Sequence, residues 1–101
     1  FTYVKDAACI MEKLLSFKIK RNHEIFNVCS SKPVKLYKII QSLNALTKAP
    51  KIKKIKFQKA DVLKTHGSNK KIAKLLNIKN FTNIDVGLTN TFYWYKNFLK
   101  K

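Results

Sequence analysis

Acids are scarce in this chain: five Asp or Glu stand against 22 Lys or Arg. The five are scattered as Asp6, Glu12, Glu24, Asp61 and Asp85, so no carboxylate pair for acid–base work can be nominated. Glycine is scarcer still. Gly67 and Gly87 lie twenty residues apart, which excludes a Gly-rich dinucleotide loop or a P-loop on this chain. No apolar run reaches about 18 residues, so nothing in it spans a membrane, and no secretory hydrophobic segment occurs in it. Cys9 and Cys29 have no second pair at metal spacing, and free thiols in a reducing cytoplasm fit them better than a disulfide. His23 and His66 stand without Cys or acids at ligand spacing, which argues against a metal site.

What is there is an apolar share of 46%, enough for a globular fold despite the charge. At 101 residues the chain is one small domain, 1–101, or a piece of a larger one. A first residue of Phe1 rather than Met points to a piece. The formal charge of +17 invites a nucleic-acid or anionic-surface reading. Yet 21 of the 22 cations are lysine and only Arg21 is arginine, the better residue for bidentate phosphate and base contacts. A solvated, compositionally driven surface and a polyanion-binding face both stay open, with the lysine bias favouring the first.

Apolar spacing predicts a helix over residues 6–17, capped by Asp6 and carrying Ile10, Met11, Leu14 and Leu15. Residues 24–30, EIFNVCS, read as a short buried strand. Pro33 is placed to open a second helix with Leu36, Ile39, Ile40, Leu43 and Leu46, ended by Ala49-Pro50. Residues 51–57, KIKKIKF, read as a second strand. Gly67 precedes a short helix with Ile72, Leu75 and Leu76, and a last helix covers about 84–99. The aromatic run FYWY, 92–95, reads as packing before base stacking, since consecutive helical residues point in different directions. Two strands and four helices make a thin core, which implies a piece that packs on something larger.

Four phrases in order then carry a resemblance: FTYVKD, IFNVCSSKPVKL, FQKADVLKTHGSNKKIAKLLNIK and FTNIDVGLTNTFYWYKNF. Together they resemble the C-terminal part of extended short-chain dehydrogenase/reductases, within the NAD-dependent epimerase/dehydratase family. The likeness is greatest to nucleotide-sugar 4-epimerases of the UDP-glucuronate type, isomerases that serve polysaccharide biosynthesis. Those enzymes carry R-D-F-T-Y-V-x-D, then Y-N-I-G-x-x-x-P-V-x-L, then Q-P-G-D-V-x-x-T-x-A-D, and T-x-I-E-x-G-L with W-Y near the end. The resemblance covers essentially the whole chain.

It implies an α+β fold: a small substrate-binding lobe of about four helices and two short strands, with the Rossmann half absent. The implied ligand is a UDP-sugar, gripped by Asn27, Gln58, Asp61 and Thr65. Asn27 matches the asparagine of Y-N-I-G, Gln58 and Asp61 match the Q and D of the nucleotide-receiving loop, and Thr65 lies beside the base or ribose. Their chemistry suits this, because carboxylates accept from ribose hydroxyls and amides donate to phosphate oxygens. Asn27 is also explicable as satisfying backbone at a strand end, and Gln58 and Thr65 as ordinary loop residues. The resemblance further implies that NAD belongs to the whole enzyme and that no cofactor is bound by this piece. The Tyr-x-x-x-Lys pair is absent, so no catalysis is expected of the piece alone. A cytoplasmic setting and a separately encoded Rossmann half as partner follow from the same resemblance.

The sequence departs from that pattern where the phosphate path is expected. Cys29 replaces the family's glycine, Lys59-Ala60 replaces Pro-Gly, and Gly67-Ser68 replaces Ala-Asp. The family's phosphate-binding arginine would lie two residues before Phe1. From another class comes the alternative of a lysine-rich nucleic-acid or anionic-surface binding module.

Overall fold

Apolar residues recurring at helical spacing dictate the architecture. In a computed structural model that describes residues 1–18, 20, 23–47, 51–56 and 58–99, four helices form and no strand is found among the described residues. They are α1 (Val4–Leu15), α2 (Leu36–Leu46), α3 (Lys70–Leu75) and α4 (Ile84–Phe98). Each helix buries one residue: Ile10, Ile39, Ile72 and, in α4, Gly87. No helix is long and apolar enough to cross a membrane among the described residues.

The expected α+β fold is therefore wrong, and the reason lies in hydrogen bonding. A strand needs a neighbouring backbone to complete its ladder. In 24–30, side chains take that place: Lys71 Nζ donates to the Ile25 carbonyl at 3.1 Å and Asn69 Nδ2 to the Cys29 carbonyl at 2.7 Å. The Ser30 N–H goes to Thr2 Oγ1 at 3.3 Å. Nor is the segment buried as expected, since Ile25 and Asn27 are exposed. Residues 51–56 are exposed throughout and carry no regular structure; Phe57, the end of that expected strand, lies outside the described residues.

Helix starts shift for tertiary reasons. Asp6 was expected as the N-cap of α1, but the cap is Tyr3 and Asp6 sits inside the first turn. Tyr3 packs on Gly87, where an added Cβ would come within 3.4 Å of the Tyr3 side chain. The Tyr3 carbonyl accepts from Asp6 N–H at 3.1 Å and Ala7 N–H at 3.4 Å, which starts the helix at Val4. The Asp6 carboxylate instead crosses to the residue before the α4 cap, accepting from Thr82 N–H at 2.8 Å and Thr82 Oγ1 at 2.6 Å. Pro33 does not open α2, which begins at Leu36 with Lys35 as its cap. Ser31 adopts a left-handed φ of 53° just before it, holding the loop away from helical continuation. The ending assigned to Ala49-Pro50 falls outside the described residues, and α2 ends at Leu46.

Two local devices fix the remaining ends. Asn83 caps α4, its side chain accepting from Asp85 N–H at 2.9 Å. After α3, Asn77 takes a φ of 50° and the Ile78 N–H returns to the Ala73 carbonyl at 2.9 Å, the 6→1 bond of a Schellman ending. Helix α2 packs on α4, tied by Ser42 Oγ donating to Asp85 and by Lys38 at 3.8 Å from the same carboxylate.

The chain exposes 9466 Å², where a compact monomer of its mass exposes about 5,900 Å². Its radius of gyration of 16.9 Å likewise exceeds the ~13 Å of a compact domain this long. The excess is apolar in part: Leu15 is 89% exposed, Leu63 84%, and Trp94 64%.

Candidate functional site

Three loops meet in a clasp: residues 1–3, 29–33 and 65–69. Ser31 is its centre. Its hydroxyl donates to the Gly67 carbonyl at 3.1 Å and accepts from the Asn69 N–H at 2.7 Å. With that hydrogen committed, the 3.7 Å contact between Cys29 Sγ and Ser31 Oγ has the thiol as donor. Asn69 adds the bond to the Cys29 carbonyl, and Ser30 Oγ donates to the Phe1 carbonyl at 2.8 Å. A left-handed non-glycine residue costs about 1–2 kcal/mol, and the bonds its side chain makes offset that.

Cys29 and Gly67 face each other. A Cβ built on Gly67 would lie 3.1 Å from Cys29 Sγ, so the thiol occupies the room that a side chain at 67 would take. These are two of the positions at which the sequence departs from the family pattern.

Beside the clasp lies a small cavity of about 40 Å³ bordered by Thr65, His66, Cys29 and Lys32. It adjoins a larger cavity of about 420 Å³ sharing Phe1, Ser30 and Lys32. Phe81, Ile84 and Leu88 give the larger one an apolar wall, while Thr2, Thr82 and Asn83 supply polar groups. Lys32 is the one cation among its described lining residues. Its size lies in the range of small-molecule sites, and its chemistry suits a ligand with one anionic and one less polar part.

The four expected site residues are not brought together. Thr65 reaches the clasp. Asn27 is exposed, two residues ahead of Cys29 in sequence. Gln58 and Asp61 build their own exposed turn, in which Asp61 N–H donates to the Gln58 carbonyl at 2.9 Å and the Asp61 carboxylate accepts from Gln58 N–H at 3.2 Å. Asp61 thus shapes its loop. Ser31, Asn69 and Lys32 were missed; the serine pair before Pro33 and the asparagine preceding α3 were the legible hints.

No protein-family model matches the chain, and no solved structure matches it at a significant level. Among curated proteins it is 36% identical over 97 residues to the uncharacterized protein MJ1055 of Methanocaldococcus jannaschii. The match covers 94% of this chain and 29% of that protein, so the chain spans less than a third of its relative's length.

Proposed function

We propose that this chain is the substrate-binding lobe of an NAD-dependent nucleotide-sugar epimerase or dehydratase, and that it holds the nucleotide diphosphate of a UDP-sugar. The observation that carries the reading is the clasp. Parts of three of the four family-like phrases converge there, and two departures from the pattern, Cys29 and Gly67, exchange volume across one contact. Such an exchange keeps the loops together, as a retained site requires. The exposed apolar surface supports a lobe seated on a larger body, and the relative is a much longer protein.

The residues present do not fit NAD. The chain has two separated glycines and no tyrosine followed four residues later by lysine, so the dinucleotide and the redox step are assigned to no residue here. What this chain's residues do is bind: Lys32 neutralises phosphate, while Thr65 and the loop of Gln58 and Asp61 receive ribose and base.

Titration with UDP, followed by NMR of the backbone amides, tests this. Shifts are expected at Asn27, Lys32, Gln58, Asp61 and Thr65, with no epimerisation by the chain alone. Unmoved amides at millimolar UDP, or turnover by the 101 residues, would overturn it.

A further inference from the structure

A second concave surface lies elsewhere, between the end of α1 and α3. It is a groove of about 510 Å³ floored by Phe17, Phe26 and Leu75. Lys18, Lys20, Lys71 and Lys74 rim it, with Glu24 as the acid among its described lining residues. The groove shares no lining residue with the clasp cavities.

Glu24 is engaged within the protein, paired with Lys71 while 14% exposed. Lys71 also lies 4.8 Å from the Phe26 ring centroid and donates to the Ile25 carbonyl, which fixes its ammonium over the aromatic floor. The ion pairs among the described residues engage Lys38 and Lys71, so around the apolar floor the ammonium groups of Lys18, Lys20 and Lys74 form no ion pair with a described carboxylate. Such a surface repels cations and fits an anion with a flat apolar body.

We propose that this groove binds single-stranded nucleic acid, a base lying on the Phe17 ring and the backbone phosphates meeting Lys18, Lys20 and Lys74. A duplex hides the faces of its bases, whereas a single strand offers both base faces and phosphates. Lysine, acting as a point charge, contacts phosphate without reading base edges, so binding is independent of sequence. This inference goes beyond the sugar-nucleotide reading and uses different residues.

Fluorescence anisotropy of a labelled oligo(dT) of about ten nucleotides, at roughly 50 and 200 mM salt, tests it on the whole chain. Three lysine–phosphate contacts give a log–log salt slope of about −2. The double variant Lys18→Gln/Lys74→Gln should bind roughly tenfold more weakly with a shallower slope. The charge-matched control Lys51→Gln/Lys53→Gln, on the exposed segment 51–56, should stay within about threefold. Phe17→Leu keeps apolar bulk but removes the ring, and should weaken binding roughly fivefold or more at an unchanged slope. Circular dichroism verifies that each variant keeps its helices. Equal weakening by both lysine pairs, full affinity in Phe17→Leu, or no binding at all would overturn the proposal. Displacement of the oligonucleotide by UDP would also overturn it, because it would mean one shared site.

Discussion

Cys29 Sγ stands over Gly67 where an alanine methyl would lie 3.1 Å away. Gly67 does not have a positive φ, so the demand for glycine there is one of space rather than backbone conformation. Gly67→Ala alone should destabilise the chain by about 1–2 kcal/mol through overpacking. In a Cys29→Ala background the same change should be nearly neutral, since the methyl fills the vacated room. Thermal unfolding of the four proteins gives the coupling, and strict additivity would refute the steric exchange.

The Asp6–Thr82 pair joins the first turn of α1 to the residue before the α4 cap. Two bonds to one partly buried carboxylate make Asp6→Ala cost about 1–3 kcal/mol, with Asp6→Asn retaining part of it. Unfolding midpoints of the two variants check this; wild-type stability in Asp6→Asn would deny the charge any part, and equal loss in both would refute the retained share.

Asn77 holds the left-handed position that ends α3. Asn77→Gly should be neutral or slightly stabilising, while Asn77→Ala should lose about 1 kcal/mol. Denaturant titration distinguishes the order, and a stabilising alanine would contradict the assigned ending.

Leu15 and Leu63 are almost fully exposed. Leu15→Glu and Leu63→Glu should each change the stability of the isolated chain by less than about 0.5 kcal/mol. If the chain is a lobe on a larger body, the same variants should weaken its association with that body in a pull-down. A large loss of stability in the isolated chain would mean these side chains are already packed.

The helices were legible because apolar spacing is a local signal. Ile10, Ile39 and Ile72 stand on expected stripes and are the buried core. The strands were misread because β-rich composition at 24–30 and 51–57 says nothing of whether a partner backbone exists. Asn69 and Lys71 show what took the partner's place. The site was half legible. Thr65 reaches the clasp, but Ser31 at its centre was invisible, since its role depends on Gly67 and Asn69 more than thirty-five residues away.

By itself the sequence determined four helices, a strongly basic surface and the lack of a cofactor loop, because these follow from residue type and short-range period. Tertiary structure alone decided where α1 and α2 begin, that Asp6 serves Thr82 rather than a cap, and that Cys29 and Gly67 are one feature. Those outcomes depend on contacts between distant segments, where a side chain or backbone group is satisfied by whatever the fold brings within reach.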